Sequence, residues 1–425
     1  MNILFIHQNF PAQFKFLAPA LARRGHTVLA LCVNEAPAVE GVSIYRYKIE
    51  RGSSKDIHPW ASEFETKVLR GEACGRAAMV LQARGFTPDL ICAHPGWGEL
   101  LFLKDVWPSV RILGYWEFYY ASRDSDVDFD PEFHKPSFEN MARLRTKNAN
   151  NLLALEICDW NLTPTAWQQR QFSPMWRDKM SVIHDGIDTK VVVPDPEVRV
   201  TLPALGLEFK PGDEIITFVN RNLEPYRGYH IFMRALPALL RQRPKARVLI
   251  IGGDGVSYGA KAPEGTSWKQ LLLDELGSEL DLSRIHFLGQ VPYASYLRVL
   301  QVSAVHVYLT YPFILSWSLL EAMSAGCLVV GSRTGPVEEV IRHGENGLLV
   351  DFFDHAALAE TLAQVLATPE TYAALRGRAR ETVVAGYDLA THCLPRQVEL
   401  VERLLSLSIA SDPRRASPTP TSPPA

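Results

Sequence analysis

An α/β fold with two doubly wound parallel sheets is what this sequence predicts, on three observations. A strand, a helix and a second strand occupy Asn2–Cys32, the same alternation starts afresh at Ile215, and a proline-spaced stretch without periodicity separates the two series. Strand, helix and strand at that spacing begin a right-handed βαβ unit.

The first strand is read over Asn2–Gln8. The helix spans Phe14–Arg24, with Phe14, Leu17 and Leu21 on one stripe and Gly25 where a helix ends, and the second strand is Thr27–Cys32. The short apolar runs Leu90–Ala93 and Arg111–Tyr115 each follow a turn signal, Pro88-Asp89 and Pro108-Ser109, and fit later strands of the same sheet. Thr189–Lys210, with Pro194, Pro196, Pro203 and Pro211 around it, looks like the crossing between domains. Strands are then expected at Ile215–Asn220, Arg247–Gly252, Ile285–Leu288, Val305–Leu309 and Leu328–Gly331, with helices at Tyr229–Arg241 and Ser318–Ala325. Asp354–Ala367 and Leu389–Ser406 read as closing helices, the latter reaching back onto the N-terminal domain. The domains are therefore set at 1–195 and 196–385, with a returning helix in 386–410. The tail 411–425, rich in Pro, Ser and Thr, is expected to be disordered.

At 425 residues the chain exceeds the usual size of one core. Apolar residues at 47% and charged residues at 21% are ordinary for a globular protein. The formal net charge of -3 disfavours nucleic acid as a partner. Six cysteines occur without a Cys-x-x-Cys pair, several inside apolar runs, so buried free thiols are expected. The opening segment is too short for a signal-peptide core, and no window approaches the ~18 apolar residues of a membrane helix. The cytoplasm is the default location, and peripheral contact with the inner face of a membrane stays open. Asp124, Asp126, Asp128 and Asp130 invite a calcium-loop reading, but a loop starting at Asp124 would need Gly at Phe129 and Glu at Lys135. A solvated loop is expected instead, and no metal site.

Sheets of this kind bind ligands beyond the carboxyl ends of their strands. After Asn220 comes Arg221-Asn222-Leu223-Glu224-Pro225-Tyr226-Arg227-Gly228, with two guanidinium groups suited to a diphosphate, although surface arginine pairs are more often simply solvated. Gly252-Gly253-Asp254-Gly255 permits close backbone approach or is a plain turn. Tyr311–Met323 passes from a loop into a helix whose first N–H groups can cradle an anion, and Glu321 lies one turn inside among apolar neighbours.

At these residues the sequence resembles glycosyltransferase family 4, from Met1 to about Ser406. The resemblance is strongest in IHFLGQVP, SLLEAMSAGCLVVGSRTGPVEEVI and HGENGLLV, and weaker in NRNLEPYRG, GGDG, VIHDGID and CAHPGW. It implies the GT-B architecture, two facing Rossmann-like domains with an interdomain cleft, the first on the acceptor side and the second binding a nucleotide sugar. It implies that Arg221 and Arg227 hold the donor diphosphate and that Leu288, Gly289 and Val291 border the base. Gly253 belongs to the glycine turn, Glu321 would bind the ribose, and Ser316 and Trp317 would offer backbone N–H groups. His94 and Glu117 follow N-domain strands and are candidates for the acceptor wall. Three positions depart from the family pattern. Phe313 stands where a donor-sugar glutamate is usual, Asn9–Gln13 lacks a double glycine, and Glu117 replaces a histidine.

The expectation is a retaining hexosyltransferase without metal or other cofactor, acting between a nucleoside diphosphate sugar and a glycan, lipid-linked or small-molecule acceptor in glycan or glycoconjugate biosynthesis. A non-hydrolysing sugar-nucleotide epimerase and a non-catalytic nucleotide-sugar binder are the alternatives.

Overall fold

The structure, a computed structural model, describes residues 1–134 and 137–410, with side chains to Leu407. The tail 411–425 lies outside the described residues. The chain forms two compact units, the first built from Met1–Asp185 and the segment from Cys393 on, the second from Gly186–His392.

Unit 1 holds β1 (Asn2–Ile6), β2 (Thr27–Cys32), β3 (Val42–Arg46), β4 (Leu90–Ala93), β5 (Arg111–Tyr115), β6 (Trp160–Thr163) and β7 (Met180–Val182). They form one seven-stranded sheet in the order β3-β2-β1-β4-β5-β6-β7, every pair parallel. The two-residue side-chain period explains why its strands are apolar throughout. Ile3 and Phe5 enter one core and Leu4 and Ile6 the other, and in β4 Leu90 and Cys92 part from Ile91 and Ala93 in the same way.

The helix Leu394–Ala410 belongs to this unit. Val398, Leu400, Val401, Leu404 and Leu405 are buried in the core with Leu17, Ala18 and Leu21 of the helix Leu17–Arg23. Arg24 pairs with Glu402 at 2.7 Å, and Gln397 Nε2 donates to the His184 carbonyl at 3.0 Å.

Unit 2 opens with a hairpin, β8 (Val200–Leu202) and β9 (Leu207–Phe209). Its sheet holds β10 (Ile215–Asn222), β11 (Arg247–Gly253), β12 (Ile285–Gly289), β13 (Val305–Tyr308), β14 (Val329–Ser332) and β15 (Leu348–Val350). The order is β12-β11-β10-β13-β14-β15, again all parallel. Thr189–Lys210, read from the sequence as the crossing, lies inside this unit, because Val192, Val198 and Val200 are buried in its core. The chain divides at Asp185/Gly186 and again at His392/Cys393, where the sequence places boundaries at 195/196 and 385/386. Pairing of Ile187 with Asp388 draws both ends of the unit together.

In each sheet the order reverses around a central strand, between β1 and β4 and between β10 and β13. Such switch points open a crevice beyond the carboxyl ends of the strands. Among the described residues no helix is long and apolar enough to cross a membrane, and all six cysteines are free and buried.

Candidate functional site

At the β10/β13 switch point the loop after β10 folds into the turn Pro225–Arg227. Gly228 follows at φ 70°, and a Cβ there would stand 2.3 Å from Leu309 Cβ, so only glycine fits. Glu224, buried, accepts the N–H groups of Ser257, Tyr258 and Gly259 at 3.1, 3.2 and 2.9 Å. This clasps the loop after β11 onto the turn that carries Arg227. Gly253 at the end of β11 lets Asn222 pack close, since a Cβ would lie 2.7 Å from Asn222 Oδ1 and push that side chain aside.

Arg227 is buried, and its Nη1 donates to Thr310 Oγ1 at 2.7 Å and to the Ile314 carbonyl at 3.0 Å. Its guanidinium carbon lies 5.1 Å from the Tyr258 ring centre and 5.7 Å from that of Phe313. Phe313 in turn meets Tyr226 edge to face at 5.0 Å. The result is a cation fixed in an aromatic surround. Arg221 differs, being exposed and part of strand β10 itself. The two arginines are therefore not the matched loop pair that the sequence suggests, because β10 continues to Asn222 and only Arg227 is built into the turn.

Glu321 is buried in the helix Trp317–Ser324. Tyr293 donates to its Oε1 at 2.6 Å and Tyr296 to its Oε2 at 2.7 Å. Burial, reinforced by Glu321, pushes both phenols up, so both remain donors. Each carboxylate oxygen has a second acceptor direction left for a ligand hydroxyl. Neither tyrosine is singled out by the sequence reading, although their i,i+3 spacing in VPYASYL was the available signal. Ser316 and Trp317 open this helix, but the Ser316 N–H already donates to Tyr308 Oη at 2.8 Å, so the expectation of a free Ser316 N–H is corrected. Gly289 ends β12 at φ 65°, while the partly buried Leu288 and Val291 pack against the core.

In unit 1 the structure brings His94 and Glu117 together beyond β4 and β5. His94 Nδ1 accepts the Gly96 N–H at 3.1 Å, which leaves Nε2 as the ring nitrogen that can carry a proton toward Glu117. Nε2 lies 3.3 Å from Glu117 Oε2, an ion-pair distance without the alignment of a hydrogen bond. Gln13 Nε2 donates to Glu117 Oε1 at 2.6 Å. Burial works to raise the Glu117 carboxyl, but His94 and Gln13 outweigh it and hold the group below its usual range. His7, after β1, lies 5.2 Å from His94 ring to ring, and burial lowers its pKa to about 3, so it stays neutral. The sequence reading missed His7 and Gln13; a histidine closing the first strand was the visible cue.

One further expectation changes. The aspartate run is not a fully solvated loop, because Asp126 and Asp130 are buried and the Asp128 carboxylate accepts the N–H groups of Asp124 and Ser125, both at 2.9 Å. A cavity of about 640 Å³ in unit 2, lined by Pro194, Glu214, Ala304 and Arg376, lies at the amino ends of β10 and β13. It sits across the sheet from Arg227 and Glu321, on the edge where such sheets do not bind their substrates.

Residues 24–192 match the profile of the Glycosyl transferase family 4 group, and residues 206–382 that of Glycosyl transferases group 1. D-inositol 3-phosphate glycosyltransferase of Corynebacterium efficiens is 30% identical over 197 residues, 46% of this chain and 44% of that protein. The enzyme of the same name from Nocardia farcinica is 30% identical over 208 residues, 48% and 44%. The chain thus spans less than half the length of these curated relatives. Sucrose-phosphate synthase from Thermosynechococcus elongatus shares the fold with a TM-score of 0.71 at 21% identity, over 96% of this chain and 100% of that one. Anabaena HepE in complex with UDP does so at 0.65 and 16%, over 95% and 100%. With both Rossmann-like units matched to the family's two profiles, the chain belongs to glycosyltransferase family 4 and has the GT-B class of fold.

Proposed function

We propose that the protein transfers a hexose, with retention of configuration, from a nucleoside diphosphate sugar to an acceptor hydroxyl, in glycan or glycoconjugate biosynthesis. The observation that carries this is that unit 2 holds a fixed cation, Arg227, in the turn after β10 and a tyrosine-held carboxylate, Glu321, in the helix after β13. A diphosphate and a ribose need those two groups. Structural relatives in complex with UDP, and one bound to ADP and acarbose, agree with a nucleotide ligand.

Arg227, assisted by Arg221, stabilises the charge that develops on the departing nucleoside diphosphate, without a metal ion. A preorganised donor of this kind contributes about 10²–10³ in rate. The acceptor hydroxyl attacks from the face that the leaving group vacates, and the donor's own phosphate takes its proton. In unit 1, His94 and Glu117 line the acceptor side and orient that hydroxyl. Cytoplasmic action on a glycan, lipid-linked or small acceptor completes the proposal.

A thermal-shift screen over UDP-, GDP- and ADP-sugars identifies the donor, and transfer is then measured with and without EDTA. Activity is expected to survive chelation and to collapse in Arg227→Met, with a smaller loss in Arg221→Ala. Activity that vanishes with EDTA and returns with Mg²⁺ contradicts the mechanism.

A further inference from the structure

Two helices present Glu321 together. Trp317–Ser324 carries it, and Tyr293–Gln301 holds it through Tyr293 and Tyr296. The carboxyl ends of the same two helices are tied to one short piece of backbone. Ser324, the last residue of the first helix and fully buried, donates through Oγ to the Val192 carbonyl at 2.6 Å. Gln301, the last residue of the second, donates through Nε2 to the next carbonyl along, that of Val193, at 2.8 Å. Adjacent residues lie ~3.8 Å apart across one rigid peptide unit, so a fixed piece of chain spaces the two helix ends.

Arg380, on the helix Ala373–Tyr387, closes the arrangement. Its Nη1 donates to the Val192 carbonyl at 3.0 Å, to the Ser324 carbonyl at 2.5 Å and to Ser324 Oγ at 3.1 Å, and its Nη2 to the Thr189 carbonyl at 3.1 Å. The last carbonyls of a helix lack intrahelical partners and carry the negative end of its dipole, which suits a guanidinium fork at the end of the helix bearing Glu321. Thr189 in turn donates through Oγ1 to Asp388, which pairs with Ile187 near the points where the chain enters and leaves unit 2.

We propose that Gln301, Ser324 and Arg380 are positioning residues for the nucleotide. They make Thr189–Val193 a common anchor for both helices and so set how Tyr293 and Tyr296 meet Glu321, while none of the three touches the ligand. The two tyrosine bonds span the helices, and hydrogen bonds weaken steeply once they lengthen or bend. A loosened anchor lets one helix slide against the other and turns the carboxylate away from the ribose hydroxyls. The inference rests on the assignment of Glu321 to the nucleotide.

Calorimetric titration of the full chain with UDP tests it. Arg380→Met and Gln301→Met, which keep side-chain length and remove the donors, are each expected to raise the dissociation constant about tenfold with the binding stoichiometry intact. A merely structural role lowers the stoichiometry and leaves the constant of the folded fraction unchanged. Arg378→Met is the control, since Arg378 lies on the same helix and donates to the Glu345 carbonyl, and it keeps wild-type affinity. Combined with Glu321→Gln, Arg380→Met adds no more than about threefold, because its effect runs through that carboxylate. Should Arg380→Met fail to fold, Gln301→Met carries the same comparison. An unchanged constant in either folded variant overturns the inference, as does a full further tenfold loss in the Glu321→Gln background. If UDP does not bind the wild-type chain, or binds Glu321→Gln equally well, the nucleotide assignment falls. Hydrogen exchange then decides on the anchor, which stands if each variant speeds exchange in both Tyr293–Gln301 and Trp317–Ser324 and falls if only one of these helices responds.

Discussion

Phe313→Glu restores the residue type that the family pattern favours at this position, and it is expected to lower kcat/KM rather than raise it. The ring centre of Phe313 is 5.7 Å from the Arg227 guanidinium carbon and 5.0 Å from the rings of Tyr226 and Tyr258. A glutamate carboxylate reaches about the same point. At an effective dielectric constant of about 20, opposite charges at that separation attract by roughly 3 kcal/mol. This attraction competes for the cation assigned to the donor diphosphate. Even after half of it is lost to relaxation, about 1.4 kcal/mol remains, a tenfold weaker hold on the leaving group. The lost aromatic contacts subtract a further ~0.5–1.5 kcal/mol each from the stability of the loop. Steady-state transfer with the best donor, together with calorimetry on UDP, measures both effects. Phe313→Ala removes the packing without adding charge and is expected to keep more of the UDP affinity than Phe313→Glu does. A gain of activity in Phe313→Glu refutes this account and would mark the aromatic surround as a decayed sugar pocket, favouring a binder without catalysis.

Glu321→Gln removes the charged acceptor while keeping the shape, and nucleotide affinity is expected to fall by about 10- to 100-fold by calorimetry; an unchanged dissociation constant would reduce Glu321 to an anchor for Tyr293 and Tyr296. His94→Ala frees the Glu117 carboxyl to titrate at higher pH, so the acid limb of the rate profile shifts upward while UDP affinity stays constant. A wild-type pH profile in that variant would place the acceptor wall elsewhere. Burial lowers His7 and His306 to about 3 and His184 to about 4, so all three stay neutral when folded and gain protons near pH 6.5 when unfolded. Stability is therefore full above about pH 6.5 and falls by roughly 1.4 kcal/mol per pH unit for each histidine between there and pH 4, and His306→Gln should flatten part of that slope in urea titrations.

Much of the fold was legible because parallel strands buried on both faces are short apolar runs, and β2, β4 and β5 occupy the spans that the sequence suggests. The helices Ser62–Ala83 and Phe138–Ile157 escaped notice for a physical reason. The first buries Leu69 and Leu81 with Gly71, Cys74, Gly75, Ala77 and Ala78 between them, small residues that interrupt a bulky stripe, and the second buries Asn148, Asn150 and Asn151. Glu321 could be found from its apolar neighbours, because a carboxylate there needs partners. Which partners it has could not, since Tyr293 and Tyr296 reach it from a helix 25 residues or more away in sequence.

The return of Leu394–Ala410 to unit 1 makes unit 2 an insertion within a discontinuous partner. During synthesis the whole of Gly186–His392 is made before Val398, Val401 and Leu404, so the first unit is without these core residues until the last helix emerges. Until then the apolar flank of Leu17, Ala18 and Leu21 stays open to water or to a chaperone. A cloned fragment ending at Asp185 would inherit that exposed flank permanently, whereas Gly186–His392 is the piece to express alone.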